Sequence, residues 1–306
     1  MELITDAFDI LASLIFFAIL IGSLGKASKS SKMKISFTKM TGAGNDFVVI
    51  DNRSKRIKNG AKAAKILCDR RWGIGADGLL LIEKSRSASY RMMYYNADGS
   101  YGGMCGNGGR CIAFYAVLHK LARRKHSFEA LGYVYSVDVR KTEVVLTLKD
   151  PQGLQIANKL ALGSETISVN SVDTGSPHVV IPIGNLRELG SSLEDLDVEK
   201  VGREIRYHDD FKANGTNVNF IEKKKDNSLT IRTYERGVES ETLACGTGSV
   251  ASALVASRLW NLRSPINVIP KSGHALRVEF DEVGDRLTNI RLAGPARVVF
   301  EGTVEV

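Results

Sequence analysis

Two cysteines in this chain each stand directly before a short glycine-rich stretch that leads into an apolar helical pattern. Cys105 opens "CGNGGRCIAFYAVL", and Cys245 opens "CGTGSVASALVASRLW". A cysteine at a helix start lies among backbone N–H groups that have no partner inside the helix, at the positive end of the helix dipole. That position lowers the pKa of a thiol and favours the thiolate, so we expect both sulfurs to be reactive.

The same two helix starts are suited to hold a carboxylate. Unpaired backbone N–H groups bind anions, and glycine lets a ligand approach the backbone closely. Two facing helix starts could therefore bind one carboxylate and place a sulfur on either side of the carbon next to it. One thiolate would then remove the α-proton while the opposite thiol delivers a proton to the other face, which inverts the stereocentre.

Three other roles for the cysteines remain open. A zinc site needs four ligands, and Cys105 with Cys111 has no further cysteine or histidine at metal-binding spacing. A thiol hydrolase would need a positioned histidine, for which His178 is the candidate, but it would leave the second cysteine unexplained. Cys68 and Cys111 lie within helical patterns, and we interpret them as structural free cysteines.

The elements that must position Cys105 and Cys245 occur twice along the chain. Short β-rich runs alternate with turn signals, and "TGAGNDFVVI" (residues 41–50) resembles "TGSPHVVI" (residues 174–181). Each of these stretches is followed by a Cys-Gly-x-Gly helix start. The simplest explanation is a duplication. It predicts an α+β fold of two similar lobes related by a pseudo-twofold axis, each with mixed or antiparallel strands wrapped around a central helix.

Apolar spacing and turn signals also indicate element and domain boundaries. Helices are predicted over residues 61–71, 109–124 and 248–260. Proline and glycine in "DPQG" interrupt the strand pattern near the middle of the chain. The predicted divisions are a hydrophobic extension over 1–32, an N-terminal lobe over 33–150, a C-terminal lobe over 151–291, and a return to the first lobe over 292–306.

The extension contains the apolar run "ILASLIFFAILIGSL" (residues 10–24), which is shorter than the about 20 residues of a membrane-spanning helix. Acidic residues precede the run and lysines follow it, an asymmetry that would leave the following domain in the cytoplasm. The alternative is a start codon assigned upstream of the true one, since Met33 begins a natural first strand. We therefore expect contact with a membrane only if residues 1–32 form an anchor.

Composition excludes several classes of protein. The chain has 306 residues, of which 43% are hydrophobic and 25% charged, which is typical of a globular protein with room for two domains. Its formal charge is +8, but the densest basic run, "HKLARRKH" (residues 119–126), has no interleaved aromatics, so we predict a solvated helix end and no nucleic-acid partner. Four cysteines are too few for a disulfide scaffold, which favours reduced thiols and a cytoplasmic location.

One motif is misleading. "GIGADG" (residues 73–78) has the glycine spacing of a dinucleotide-binding loop. Its context is reversed, because a helical pattern precedes it and the apolar strand pattern "LLLIEK" follows it. No helix start is then available for a pyrophosphate, so we predict no nicotinamide or flavin binding.

Four motifs of this chain resemble those of the diaminopimelate epimerase family, in the family's order. They are "FTKMTGAGNDFVVID", "DRRWGIGADGLLLI", "YYNADGSYGGMCGNGGRC" and "TYERGVESETLACGTGSVASA". The resemblance extends from about Met33 to the carboxyl terminus. It implies a two-lobed epimerase fold, a homodimer, and a two-base reaction without cofactor or metal that interconverts LL- and meso-2,6-diaminopimelate, a step toward lysine and cell-wall peptide.

The resemblance also assigns site residues. Cys105 and Cys245 match the family's acid/base pair, and His178 matches a histidine that supports the active site. The resemblance further implies that backbone N–H groups hold the carboxylate of the reacting centre, those of Gly106 with Asn107 and those of Gly246 with Thr247. The residues that match substrate-contacting positions are Asn45, Asn96, Gly106, Asn107, Asn217, Glu235, Arg236, Gly246 and Thr247.

Two positions depart from the family pattern. Ser176 stands where many members have asparagine, and Gly78 stands where some members have glutamine. Both concern recognition of the distal amino-acid end, so the resemblance specifies the reaction more firmly than the substrate. An epimerase or racemase of another amino acid on the same fold therefore stays open, as does a protein that binds an amino acid without converting it.

Overall fold

The computed structural model describes residues 33–141, 143–186, 192–213 and 215–305. Residues 36–303 pack as one unit, and of the described residues 33–35, 304 and 305 fall outside it. The predicted extension at residues 1–32 lies outside the described residues, so both of its interpretations stay open. In the part that is described, no helix is long and apolar enough to cross a membrane.

Within these ranges the chain forms four α-helices, two short 3-10 helices and seventeen strands. The helices are α1 (Gly60–Leu67), α2 (Gly106–Leu118), α3 (Val198–Arg206) and α4 (Gly246–Trp260), and the 3-10 helices are Ile183–Leu186 and Asp209–Phe211. The strands are β1 (Lys34–Gly42), β2 (Asn45–Asp51), β3 (Gly78–Glu83), β4 (Tyr90–Asn96), β5 (Lys125–Ala130), β6 (Tyr133–Val139), β7 (Val144–Thr147), β8 (Gln152–Leu162), β9 (Glu165–Asp173), β10 (Pro177–Pro182), β11 (Asn217–Lys223), β12 (Ser228–Glu235), β13 (Ser240–Thr242), β14 (Ile266–Pro270), β15 (Leu276–Val283), β16 (Arg286–Gly294) and β17 (Arg297–Glu305).

The strand pairings of the first half repeat in the second. From β1 to β7, each strand pairs with the next, in the order antiparallel, parallel, antiparallel, parallel, antiparallel, antiparallel. The same order of directions recurs in the second half, where each strand pairs with the next in the series β9, β10, β11, β12, β14, β15 and β16. The helices occupy matching places, with α1 and α3 after the second strand of each series and α2 and α4 after the fourth. The predicted α+β fold with two similar lobes is confirmed.

Each lobe is built around one helix. The strands β2, β3, β4, β6 and β7 pack on α2, and β8 to β12 with β14 to β16 pack on α4. Residues on all faces of both helices are buried, which fits a helix that is apolar all round and enclosed by strands. This enclosure fixes the axis of each helix and therefore the direction in which its first residue points.

The two halves are joined by strand pairing. Strand β16 pairs antiparallel with β7, and Leu292 lies opposite Leu146. Strand β17 pairs with β1, and the hydroxyl of Thr38 on β1 donates to the carboxylate of Glu301 on β17 at 3.2 Å. Strands late in the chain thus contact strands of the first half, although the predicted boundaries at residues 150 and 291 stay predictions.

The helix predicted over residues 109–124 ends at Leu118, six residues early. Lys120 has a left-handed φ of 57°, and the N–H of Leu121 returns to the carbonyl of Ala116 at 2.7 Å, which closes the helix end. The basic run at 119–126 therefore begins at the C-cap residue His119, as expected for a helix end, but most of it lies in this turn and in β5. The helix predicted over 61–71 likewise ends early, at Leu67.

Candidate active site

Cys105 and Cys245 are the N-cap residues of α2 and α4. Both have extended backbone, with φ of −127° and −112°. The sulfur of Cys105 accepts the N–H of Gly108 at 3.5 Å, and that of Cys245 accepts the N–H of Gly248 at 3.4 Å. The prediction that both cysteines stand at helix starts is confirmed, and each thiol takes the place that a serine or aspartate side chain has in an ordinary N-cap.

The two helix starts meet at Gly106 and Gly246. A Cβ atom built on Gly106 would lie 3.7 Å from the Cα of Gly246, and one built on Gly246 would lie 3.4 Å from the Cα of Gly106. The side chain of Leu292 covers both sites, at 3.3 Å and 3.2 Å from the same two Cβ positions. Each Cβ atom would thus be in ordinary contact with the facing backbone, and only the Leu292 side chain would have to shift slightly, so the two glycines bring the helix starts into direct backbone contact.

Both cysteines line one cleft of about 1020 Å³. Residues of the two lobes face each other across it, as the duplication predicted. The cleft wall includes every residue that the family resemblance assigned to substrate: Asn45, Asn96, Gly106, Asn107, Asn217, Glu235, Arg236, Gly246 and Thr247. This placement suits their assigned roles, which stay predictions.

Burial raises the pKa of both thiols. The pKa of Cys105 is raised to about 11. Burial and the negative charge of Glu235 raise it, and together they outweigh the hydrogen bond from the Gly108 N–H, which lowers it. Burial and the same carboxylate also raise the pKa of Cys245. The expectation of thiol pKa values below the ordinary range was therefore wrong, since the cost of desolvating a thiolate exceeds the stabilisation by the helix-start N–H groups.

Glu235 ends β12 and faces the cleft. Burial raises the pKa of its carboxyl, and the Thr242 hydroxyl donates to it at 2.9 Å. Because the Glu235 carboxylate raises the pKa of both thiols, its charge is a common influence on the two sulfurs.

A network of amide side chains joins the two helix starts. Asn107 donates from Nδ2 to the carbonyl of Ala244 at 3.1 Å and to Oδ1 of Asn45. Ala244 directly precedes Cys245, so this bond ties the start of α2 to the start of α4. Asn45 in turn donates from Nδ2 to the carboxylate of Asp77 at 3.0 Å.

His178 lies behind the cleft wall. It is buried on β10, where Nδ1 accepts from Nδ2 of Asn219 at 3.1 Å and Nε2 lies 3.2 Å from the hydroxyl oxygen of Ser176. Asn219 Nδ2 also donates to the carbonyl of Val179 at 2.9 Å, which identifies it as a nitrogen and leaves the ring proton on Nε2. Burial and the charge of Arg236 lower the pKa of His178 to about 3, so the ring is neutral.

Ser176, one of the two departures from the family pattern, lines the cleft. Its oxygen accepts from Nε2 of His178 and from Nδ2 of Asn217, the latter at 3.3 Å. The Asn217 amide is oriented by the carbonyl of Pro177 at 2.9 Å and by the N–H of Arg236 at 3.0 Å. With both lone pairs of its oxygen engaged, Ser176 retains its own hydroxyl hydrogen for donation.

The geometry does not favour the alternative roles of the cysteines. Cys111 is buried inside α2, whereas Cys105 faces the cleft, and the ring nitrogens of His178 contact Ser176 and Asn219 rather than a thiol. Over the described ranges no group of three or more His, Cys, Asp or Glu residues lies together as a metal cluster. The loop at 73–78 leads into β3 and not into a helix, as expected from the sequence.

Sequence reasoning missed one residue behind the cleft wall, Arg110, and one in the wall itself, Asp77. Arg110 is fully buried and donates from Nη2 to Oδ1 of Asn107 at 2.7 Å. The available signal was an arginine inside an otherwise apolar helical run, three residues after an asparagine. Asp77, which lines the cleft and accepts from Arg70 at 2.7 Å, lies within the "GIGADG" motif that was weighed only as a nucleotide loop.

The amino-acid sequence of this chain matches a known protein family. Residues 37–152 and 170–299 match the family model described as diaminopimelate epimerase. The chain is 44% identical over 269 residues to the diaminopimelate epimerase of Chlorobaculum tepidum, covering 87% of this chain and 99% of the relative. It is 38% identical to the diaminopimelate epimerase of Aquifex aeolicus, with 88% and 97% of the two chains covered.

Solved structures share the fold at low sequence identity. A hydroxyproline epimerase from Agrobacterium vitis, with bound trans-4-hydroxy-L-proline, aligns with a TM-score of 0.66 at 15% identity over 90% of this chain and 94% of its own. A PhzF-family phenazine biosynthesis protein from Bacillus anthracis aligns with a TM-score of 0.67 at 14% identity, covering 90% of this chain and all of its own. These similarities concern the fold alone.

Proposed function

Because this chain belongs to the diaminopimelate epimerase family, we propose that it interconverts LL- and meso-2,6-diaminopimelate by moving the α-proton between two cysteine sulfurs. The observation that carries this proposal is a pair of thiols, Cys105 and Cys245, at two helix starts that meet in one cleft. The protein is accordingly an isomerase, and the proposed reaction uses no cofactor.

The helix starts supply the binding site for the carboxylate of the reacting centre. The first backbone N–H groups of α2 and α4, at Gly106 with Asn107 and at Gly246 with Thr247, lack partners inside their helices. Two positive helix ends directed at one carboxylate stabilise the negative charge that spreads onto it when the α-carbon loses its proton. The absence of Cβ atoms at Gly106 and Gly246 allows the carboxylate to approach the backbone.

The proton transfer needs one thiolate and one thiol. Since burial raises the pKa of both thiols, one of the two sulfurs must lose its proton before the reaction can begin. The thiolate removes the α-proton from one face, and the opposite thiol delivers its proton to the other face. In the reverse reaction the two sulfurs exchange roles, which is the reason that both must be cysteines.

The distal end of the substrate carries a second amino-acid group, and the cleft offers polar partners for it. Arg236 lines the wall, and its planar guanidinium suits a carboxylate by bidentate geometry. Ser176 provides a hydroxyl hydrogen, and Asn217, which orients that serine, lines the same wall. These groups support a dicarboxylic substrate over an amino acid with an apolar end. An epimerase or racemase of another amino acid is the second candidate, because Ser176 departs from the family pattern.

The cellular setting belongs to the same proposal. An enzyme of this specificity would act in lysine and cell-wall precursor biosynthesis. The reaction needs both thiols reduced, and all four cysteines are free in the structure, which supports a cytoplasmic location. A homodimer is proposed on the family resemblance alone.

The proposal is tested by incubating the reduced protein with LL-diaminopimelate in deuterium oxide, with Cys105→Ser and Cys245→Ser alongside. We expect the meso isomer to appear with deuterium at one α-carbon, because the delivered proton comes from a solvent-exchanged thiol. Each serine variant should lose about 100-fold or more in rate, the range for removal of a positioned acid or base.

Three other outcomes would contradict the proposal. Deuterium uptake by a different amino acid, but not by diaminopimelate, would favour the second candidate. Binding of diaminopimelate with no exchange would indicate a binding protein. Full activity in either serine variant would exclude the two-thiol mechanism.

A further inference from the structure

A buried arginine lies one turn inside the helix that carries Cys105. Arg110 is 0% exposed, and no carboxylate among the described residues pairs with it. It donates to Oδ1 of Asn107 at 2.7 Å and to the carbonyl of Gly106 at 3.3 Å, while its Nε has no partner in the described structure. Burying an arginine without a carboxylate partner costs free energy of folding, so stability alone does not explain its presence at this position.

The contacts of Arg110 determine the orientation of the Asn107 amide. A guanidinium is only a hydrogen-bond donor, so the Asn107 atom that faces it must be the oxygen. The Asn107 nitrogen is then directed to the carbonyl of Ala244, 3.1 Å away, and to Oδ1 of Asn45. Asn45 is oriented in turn, because its oxygen faces Asn107 and its nitrogen faces Asp77.

These bonds cross from one lobe to the other. Arg110 and Asn107 belong to α2, whereas Ala244 directly precedes Cys245 in the other half of the chain. Gly294 packs against the guanidinium, since a Cβ atom there would lie 3.1 Å from Nε of Arg110. The arginine is thus enclosed where the starts of α2 and α4 meet.

We propose that Arg110 is a positioning residue that, through the Asn107 amide, holds the helix start carrying Cys105 in register with the helix start carrying Cys245. The proposal rests on the two-thiol reaction proposed above. In that reaction the two sulfurs must lie on opposite faces of one carbon, at a distance from which both can reach it. Its buried charge also favours the thiolate at Cys105, which lies in the preceding turn.

The experiment compares Arg110→Met, which removes charge and donors, with Arg110→Lys, which keeps a charge and a single donor group. Cys111→Ala is the matched control, because Cys111 is the next residue of the same helix, is fully buried and does not face the cleft. For each variant we measure Tm, kcat and KM for diaminopimelate, and the pH dependence of Cys105 alkylation by iodoacetamide, followed by peptide mass spectrometry.

We expect Arg110→Met to lower kcat by about 10- to 100-fold, since a displacement of about 1 Å in a reacting geometry costs rates of that order. KM should change less than kcat, the alkylation profile should move to higher pH, and Arg110→Lys should lie between Arg110→Met and the wild type. Cys111→Ala should lower Tm and leave kcat and the alkylation profile unchanged.

A double variant tests whether Arg110 acts through Asn107. Asn107→Ala removes the amide but keeps the backbone N–H, so Arg110→Met should add little further loss of kcat in that background. Additive losses would show that the arginine acts by another route and would overturn the proposal.

The proposal is also overturned if folded Arg110→Met keeps kcat within about twofold of the wild type and alkylates with an unchanged pH profile. If Arg110→Met does not fold, the same criteria apply to Arg110→Lys and Asn107→Ala. A wild type that does not convert diaminopimelate would refute the proposed function, while the alkylation measurement would still decide the influence of Arg110 on Cys105.

Discussion

The ring of Tyr94 occupies the space that a side chain at position 78 would need. A Cβ atom on Gly78 would lie 2.5 Å from Cε2 of Tyr94, and on its other side a Cβ atom on Gly102 would lie 2.3 Å from the same ring. Tyr94 lines the cleft and makes an edge-to-face contact with Phe47, with ring centroids 6.0 Å apart. Gly78, one of the two departures from the family pattern, therefore leaves the space that the Tyr94 ring occupies.

We expect Gly78→Gln to destabilise the protein by about 1 to 3 kcal/mol, because the new side chain overpacks against the Tyr94 ring and the Tyr95 carbonyl. Chemical denaturation measures the loss. Tyr94→Ala in the same chain should recover part of it, since only one of the two obstacles is a side chain. Gly184→Ala is the control, as a Cβ atom there meets nothing within 4 Å. An unchanged denaturation midpoint for Gly78→Gln would refute the expected overpacking.

Neutralising Glu235 should make both thiols more acidic. Its carboxylate raises the pKa of Cys105 and of Cys245, so Glu235→Gln should move the alkylation profile of each thiol to lower pH. In the wild type, alkylation of Cys105 should keep accelerating to about pH 11, its raised pKa, well above the range of an ordinary cysteine. Glu129→Gln, which alters a carboxylate that pairs with Arg91 and does not line the cleft, serves as control. Profiles that coincide for wild type and Glu235→Gln would contradict this prediction.

Oxidation should inactivate the enzyme reversibly. Two thiols that face one α-carbon can approach closely enough for a disulfide, which removes both the base and the acid at once. We expect diamide to abolish turnover and dithiothreitol to restore it, with Cys105 and Cys245 found in one cross-linked peptide by mass spectrometry. Cys68→Ser should behave as the wild type. Turnover that persists while both thiols are demonstrably oxidised would exclude a role for them.

Ser176→Ala should weaken substrate binding more than it slows the reaction. The His178 and Asn217 side chains engage both lone pairs of the Ser176 oxygen, which leaves its hydroxyl hydrogen for a substrate oxygen. Loss of one such bond, worth about 1 to 1.5 kcal/mol, corresponds to a KM about 5 to 12 times higher with kcat changed little. Steady-state kinetics checks this, with Ser228→Ala as control, because the Ser228 hydroxyl donates to the carbonyl of Lys225 and the residue does not line the cleft. A KM equal to that of the wild type would place the serine outside the substrate contacts.

Local sequence determined the parts of this site that depend on neighbours along the chain. The Cys-Gly-x-Gly stretches produce helix starts with Cys105 and Cys245 as N-caps, because a small polarisable acceptor and two glycines suit the unpaired N–H groups there. The repeated stretches at 41–50 and 174–181 likewise indicated two lobes. The same reasoning predicted that a strand and not a helix follows "GIGADG", and β3 follows it.

Other properties depend on residues far apart in the chain, and only the tertiary structure decided them. The raised pKa of the Cys105 thiol follows from burial and from the charge of Glu235, which lies 130 residues further along the chain. The helix start alone had indicated a lowered pKa. The bond from Asn107 to Ala244 joins residues that are 137 positions apart, and Gly294 packs on Arg110 where β16 returns to pair with β7. Desolvation and close packing depend on which groups the folded chain encloses, and a sequence pattern, which reports on near neighbours, does not contain that information.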